Sequence, residues 1–306
     1  MTNENSIQTI KLREVSVPED YAQMEALFNL IEPGSTTIAS LEEEDSHVPA
    51  SSSLKIDENG HLVGFGRTRI IAETEDGKMI GYGACFRAPW VEPGSVGSTF
   101  CVHPDFRSQG VGELLLSHIE DWAKKHQASV LTSIVMDWIK ESVPFVKKRG
   151  FLLDAHIFEL ELDVAQFNAF HNEALVNQVK KMGIQFTTLA DLQDEASEIK
   201  LYELYVETSK DNPGQYGDVG PFEQWKKEFF PANSSREDWI FIAVDDRGRG
   251  IAKALKVIAI NAAKVAGVKT ITTDSEENNA PMQHINKTLG FLPGNGHYRI
   301  IKQLSY

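Results

Sequence analysis

The chain has 306 residues, 42% of them hydrophobic and 24% charged, with a formal net charge of -14 at pH 7. That hydrophobic share argues against disorder, the length allows two domains with cores of their own, and the acidic balance argues against general binding to nucleic acid or an anionic bilayer. Two cysteines, Cys85 and Cys101, are too few for a disulfide framework or a thiolate metal site.

The N-terminus, "MTNENSIQTIK", lacks the basic and apolar regions of a signal peptide, and no apolar run approaches the roughly 18 to 20 residues that span a bilayer. The expectation is a cytoplasmic protein that binds neither membrane nor nucleic acid. Residues 17 to 60 carry no chemical signature. The acidic run "LEEEDSH" (41 to 47) offers carboxylates to a metal, but runs of like charge ordinarily face water, and a solvated loop is expected.

"RIIAE" ends at Glu73, and "MIGYGACF" (79 to 86) and "GSTFCV" (97 to 102) read as strands around a turn rich in Pro and Gly. A helix is predicted over 111 to 126, with Leu115, Ile119 and Trp122 on one face. "SVLTSIVM" (129 to 136) reads as a buried strand, "KESVPFVKKRG" as a short helix and "HIFELELD" (156 to 163) as an alternating strand. The polar stretch 163 to 183 then divides the chain into domains 1–165 and 166–306. Beyond it come a helix over 250 to 266 closed by Gly267, a strand "TITTD", a short helix from 280 and a last strand "YRIIKQLSY". Such mixed units predict an α/β fold with a partly parallel sheet covered by helices.

The two halves repeat one another. Arg107, Gly110 and Gly112 answer Arg247, Gly250 and Ala252, and "KKRGF" at 147 to 151 answers "KTLGF" at 287 to 291. Arg107 to Phe151 and Arg247 to Phe291 both span 44 positions, an offset of 140 throughout. Two short motifs that keep one spacing across a helix, a strand and a second helix point to a tandem duplication.

The glycine-spaced loops carry the chemistry. A helix N-terminus offers unpaired N–H groups and the positive end of the helix dipole, so a loop that lets an anion approach it makes a phosphate site. Glycine removes the Cβ that would block the approach, and arginine adds a charged partner. The candidate cradles are Arg107, Ser108, Gln109, Gly110, Val111 and Gly112, and in the second half Arg247, Gly248, Arg249, Gly250, Ile251 and Ala252. "RSQGVGE" lacks the Lys-Ser/Thr of a P-loop, and no G-x-G-x-x-G is present in either loop. A merely tight strand-to-helix turn explains one such loop better than two at constant spacing.

"V-H-P-x-x-R-x-x-G-x-G", followed by helix, strand, short helix and "RGF", resembles the GCN5-related N-acetyltransferases (GNAT), whose signature is R/Q-x-x-G-x-G/A. The likeness covers most of 67 to 163 and, less completely, 184 to 306. The arrangement is similar to that of tandem-domain members such as the mycothiol synthases. The resemblance implies two tandem GNAT folds, each with a mixed central sheet flanked by helices. It implies acetyl-CoA as co-substrate with no metal, and a small-molecule or peptide amine acceptor that attacks the thioester directly. The loop at 107 to 112 would then hold the pyrophosphate, and the backbone of Phe100, Cys101 and Val102 would pair with the pantetheine arm.

The chain departs from the family at two points. The tyrosine that often follows the Phe of the short helix is replaced by Val146 and, in the second copy, by Asn286. Candidate bases are Glu73 and, second, His103, which also suits a turn-shaping role; Cys101 has no His–Asp arrangement to make it a nucleophile. Trp90 and Trp138 are candidates for the acceptor cleft as much as for the core. In the second copy "FIAVDD" runs directly into Arg247, whereas Arg107 follows Asp76 by 31 positions in the first. About two strands are missing, so "WIFIAV" is expected to feed the loop in place of the fourth strand, with catalysis in the first domain. The rival reading is a non-catalytic CoA-binding or interaction module.

Overall fold

The computed structural model describes residues 10–46, 48, 51–88, 91–191, 194–210, 219–229, 241–244 and 250–305. By its internal contacts the chain forms two compact units, one of residues 1–134, 144–153 and 299–306, the other of 135–143 and 154–298.

The first unit begins with β1 (Lys11–Glu14), α1 (Tyr21–Ile31) and α2 (Ile38–Ser46), followed by a small hairpin, β2 (Lys55–Ile56) and β3 (Leu62–Val63). Then come β4 (Gly66–Glu73), β5 (Met79–Arg87), β6 (Ser95–Val102), α3 (Val111–Lys125), β7 (Val130–Met136) and α4 (Ser142–Lys148). Its sheet runs β1-β4-β5-β6-β7, antiparallel as far as β6 and parallel from β6 to β7. The chain's last strand, β12 (Leu292–Gln303), lies next to β7, and its end continues in a bond from Leu304 N–H to Ser129 O at 2.9 Å.

Both faces of this sheet are covered for reasons legible in the alternation of its strands. On one face Ile70, Ala72 and Ile80 meet Val111 and Leu115 of α3, a helix that buries Val111, Leu115, Leu116, Ile119 and Ala123 along one stripe. On the other, Ile71, Met79, Tyr82 and Ala84 meet Tyr21, Met24 and Leu27 of α1 and Leu41 of α2. Each fully buried Leu, Ile or Met contributes roughly 1.5–3 kcal/mol. Gly81 sets the helix-to-sheet spacing, since a Cβ there would lie 2.9 Å from Val111 Cγ1 and 3.0 Å from Leu115 Cδ1.

The acidic run at 41–46 is helix rather than solvated loop. Leu41 anchors it, and Asp45 faces the sheet, where it meets Arg67 and Arg69; His47 lies outside the described residues.

In the second unit β8 (Leu152–Asp163), which begins earlier than its alternation suggests, continues through α5 (Ala169–Lys181), β9 (Gln185–Thr188), α6 (Glu195–Ser209), α7 (Phe222–Phe229) and β10 (Phe241–Val244). α8 (Ile251–Val265), β11 (Thr270–Glu276) and α9 (Ala280–Leu289) follow. β8 pairs with β11 antiparallel, Asp163 opposite Thr270 and Ile157 opposite Glu276, and the order is β12-β8-β11. β9 and β10 form a separate two-stranded ladder.

β10 does lead toward the second loop, but among the described residues it pairs only with β9 and never with β11. This corrects the expectation that it stands in for the fourth strand. The polar stretch 163–183 supplies the reason, because it contains α5. Val179 of α5, with Leu175 and Val176, packs on Ala254 and Ile251 of α8 beside Ile184, Phe186 and Ala243. In the first unit α3 is covered by β4 and β5; in the second, α5 covers α8. The apolar stripe of the helix is buried either way, so this partial copy keeps a core of its own.

Candidate functional site

β6 and β7 pair for only three residues: Ser95 with Val130, Val96 with Leu131 and Gly97 with Thr132. Two serine hydroxyls close the apex, Ser98 Oγ donating to Thr132 O at 3.0 Å and Ser133 Oγ to Ser98 O at 2.9 Å. Beyond it, β6 continues through Thr99, Phe100, Cys101 and Val102 with its ladder on β5 alone. Its second backbone edge faces a gap, and such an edge takes an extended ligand much as it would take another strand. The gap is apolar. Ile134 of β7 is 46% exposed although its strand is interior to the sheet, and the rings of Phe100 and Phe145 stand 6.0 Å apart.

β6 ends in the loop. His103 Nδ1 accepts the Asp105 N–H at 3.2 Å and its ring stands edge-on to Phe106, so this histidine shapes the 3-10 turn Pro104–Phe106. Arg107 Nε donates to Val102 O at 3.4 Å, and Gln109 Nε2 donates to Asp105 O at 2.8 Å. Ser108 and Gly110 take φ of +60° and +88°. Gly110 caps α3, and a Cβ there would meet nothing within 4 Å, so the space over the helix mouth is open. Gly112 has a different role: its Cβ would lie 3.1 Å from the Phe145 ring, so this glycine seats α4 against the first turn of α3. Val111 is buried in the core and offers the cradle its backbone only.

Sequence reasoning missed one cation here. The Arg149 guanidinium stacks 3.6 Å from the centroid of Phe145 and pairs with Glu113 in the first turn of α3. The "KKRGF" motif held the signal, because it places a guanidinium one turn past the Phe that faces the loop.

Of the second loop, Arg247, Gly248 and Arg249 lie outside the described residues. Gly250 caps α8 with φ +81°, as Gly110 caps α3, but the side chain of Leu175 from α5 would stand 3.6 Å from its Cβ. Ile251 belongs to the α5–α8 core and Ala252 is exposed. Val146 and Asn286, where the resemblance implies a tyrosine, are both buried, and neither amide atom of Asn286 has a partner among the described residues.

The remaining candidates are distributed rather than brought together. Glu73 ends β4, where its carboxylate accepts Arg13 Nε at 2.7 Å, and Arg13 in turn grips Asp20 with both terminal nitrogens at 2.7 Å. Cys101 is half-buried on β6, and burial pushes its thiol up to about 12. Trp138 is half-buried just past β7, and Trp90 lies outside the described residues. No group of three or more His, Cys, Asp or Glu among the described residues could hold a metal ion, and no helix there is long and apolar enough to cross a membrane.

Two parallel strands thus part above a glycine-spaced helix mouth. Residues 20–151 match the model of the Acetyltransferase (GNAT) family. The whole chain has the tandem GNAT fold. It superposes on a GCN5-related N-acetyltransferase from Sphaerobacter thermophilus with a TM-score of 0.68 at 15% identity, covering 96% of this chain and 95% of that one. A tandem GNAT protein from the clavulanic acid biosynthesis pathway gives 0.66 at 14% identity, over 97% and 99%. The glucosamine N-acetyltransferase region of a fungal multi-domain GH3 β-N-acetylglucosaminidase gives 0.60 at 14% identity, the present chain spanning 38% of that protein. No curated protein matches the sequence.

Proposed function

We propose that the first copy, residues 1–165, transfers the acetyl group of acetyl-CoA to the amine of a small-molecule or peptide acceptor, and that the second, residues 166–306, supports it without turning over. The observation that carries this is the parting of β6 from β7 past Gly97 and Thr132, directly ahead of the open mouth of α3. The backbone of Phe100, Cys101 and Val102 supplies a strand edge for the pantetheine amides, and Arg107 to Gly112 supply N–H groups and charge for the pyrophosphate. Acetyl-CoA brings an activated acyl group. The acceptor nitrogen bonds to the acetyl carbon as the C–S bond breaks, the thiolate leaves, and the ammonium proton passes to water or a base.

With Val146 in the tyrosine position, solvent protonates the thiolate. Glu73 is tied to Arg13 and His103 to its turn, so each acts as base only through water. The Leu175 contact at Gly250 favours the non-catalytic reading of the second copy. The acidic charge and low cysteine count support a cytoplasmic setting without nucleic acid as partner.

The test is thiol release from acetyl-CoA, with affinity for CoA measured by calorimetry. Arg107→Ala and Gly110→Ala are expected to weaken CoA about tenfold or more, equivalent to ~1.4 kcal/mol, and Gly250→Ala to leave it within twofold. Loss confined to Gly250→Ala would overturn the assignment. Tight CoA binding without turnover of any amine favours the binding-module reading, which the buried Val146 supports.

A further inference from the structure

On the sheet face under α1 and α2, the register sets Arg67 beside Phe86, Arg69 beside Ala84 and Thr99, and Ile71 beside Tyr82 and Cys101. The helices bury Ile71, Tyr82 and Ala84 and pack onto Cys101. Their cover stops there. Thr99 is exposed although β5 lies alongside it, and it stands two residues past Gly97, at the apex where β6 leaves β7. Arg69 is two strand spacings away, about 10 Å between Cα atoms, which an arginine side chain spans for the most part.

Two guanidinium groups here share one carboxylate. Asp45 Oδ1 accepts Arg67 Nη1 at 2.8 Å, both Asp45 oxygens accept Arg69 Nη1 at 2.9 and 3.2 Å, and Asp45 Oδ2 also accepts the Tyr21 hydroxyl at 2.8 Å. Burial raises the Asp45 carboxyl, but the bonds from Arg67, Tyr21 and Arg69 outweigh it and hold the group below the usual carboxylate range. Only Nη1 of each arginine is used. Among the described residues the Nε and Nη2 donors of both have no acceptor, and the nearby carboxylates of Asp20 and Glu73 are engaged by Arg13. The side chains of Arg67 and Arg69 are 25% and 13% exposed, so these donors are partly withdrawn from water without a protein partner. None of these nitrogens is sealed from water, so they stay accessible to a ligand, and the planar guanidinium fork matches a carboxylate.

We infer that the acceptor is an amino acid, whose carboxylate is held by the open N–H groups of Arg67 and Arg69 above Thr99 while its amine faces the acetyl group. This rests on the acetyl-transfer reading above. It runs against the net charge of the chain, which taken alone favours a cationic acceptor such as a polyamine. If the arginines served only to tie down α2 through Asp45, their removal would lower stability without changing the choice of acceptor.

The experiment compares amines that differ only in the carboxylate: leucine with isopentylamine, phenylalanine with phenethylamine, lysine with cadaverine. The acid of each pair is expected to show at least tenfold higher kcat/KM in thiol release. Arg67→Gln should raise KM about tenfold more for the acid than for the amine, and Arg67→Lys should restore part of that difference. Equal or better use of the decarboxylated amines, or an Arg67→Gln defect equal for both, overturns the inference.

Should no pair turn over, calorimetry with succinate and with putrescine, with and without CoA, gives the answer. Succinate binding weakened tenfold by Arg67→Gln supports the site, and no succinate binding overturns it. Failure of the wild type to bind CoA overturns the acetyl-transfer reading, whereas failure to distinguish carboxylates with CoA bound overturns only the acceptor class.

Discussion

The Asp137 N–H donates to the Gly296 carbonyl at 3.0 Å, and the Gly296 N–H returns a bond to Asp137 Oδ1 at 3.0 Å. The relation recurs at the offset of the duplication. Glu277, 140 positions after Asp137, donates its N–H at 2.8 Å to the carbonyl of His156, which lies 140 positions before Gly296. Within the second unit, then, the residue just after the central strand of each copy bonds to the late strand of the other. His156 sits at the centre, its Nε2 3.0 Å from Asp137 Oδ2 and its ring stacked 4.0 Å from that of Tyr298.

This exchange leaves no room at Gly296. A Cβ there would lie 2.5 Å from the Ile157 carbonyl oxygen and 2.9 Å from Asp137 Oδ2. Backbone cannot swing aside as a side chain does, so Gly296→Ala is expected to cost about 2–3 kcal/mol. Gly294→Ala, whose Cβ would meet Glu159 O at 3.5 Å, should cost much less. Urea denaturation compares the two, and equal losses would contradict the packing argument.

Gly81 and Gly83 make a second pair of opposites on one strand. A Cβ at Gly81 would lie 2.9 Å from Val111 and 3.2 Å from the Cys101 carbonyl, whereas at Gly83 the nearest atoms stand at 3.4 Å. Gly81→Ala should therefore push α3 off the sheet, lowering stability by about 1–3 kcal/mol and raising the KM for acetyl-CoA, because the same helix carries the loop. Gly83→Ala should be close to neutral in both measurements.

Burial pushes the Cys101 thiol up to about 12, and that of Cys85 is raised as well. At pH 8 the folded protein should react with iodoacetamide about a thousandfold more slowly at Cys101 than a free cysteine does, since the thiolate is the reactive form. Both thiols should label fully in urea. Cys101→Ala is expected to retain thiol release within a few-fold; its abolition would point to a nucleophile after all.

Hydrogen bonds from Arg13 hold the Asp20 carboxyl below the usual carboxylate range, against the opposing effect of burial. A depressed folded value means that the pair stabilises fully above the unfolded carboxylate value, near 3.9, and that this stability is lost as pH falls through the folded value. Arg13→Met leaves Asp20, 4% exposed, without its cation, at a cost of about 2 kcal/mol at pH 7 after allowance for the half-open guanidinium. Urea midpoints for wild type and variant should converge below about pH 4. A gap that did not change with pH would show that the loss is one of packing.

Much of the first unit's cleft was legible in the linear chain. The helix at 111–125, the strand at 130–136 and the glycine at the mouth of α3 follow from periodicity and from the need for a left-handed residue at position 110. Other features left no local mark. Nothing in "GRTRI" says that Arg67 and Arg69 turn inward to share Asp45, because that depends on a helix some 20 residues upstream lying over the sheet. The stretch 163–183 was polar enough to pass for a linker; its apolar Leu175, Val176 and Val179 gain meaning only beside α8.

Spacing carried the duplication and the loop, since a motif repeated at a constant offset of 140 records common ancestry whatever the fold does with it. Hydrophobic periodicity carried the helices and strands between the motifs, because it expresses local burial. Neighbour relations between strands came from neither source. The hydrogen bonds joining Asp137 to Gly296 and Glu277 to His156 span more than 100 residues, and backbone N–H and C=O groups are the same in every strand. Which strands pair was decided by the way side chains fill the space between distant segments, a property the residues acquire only once the chain is folded.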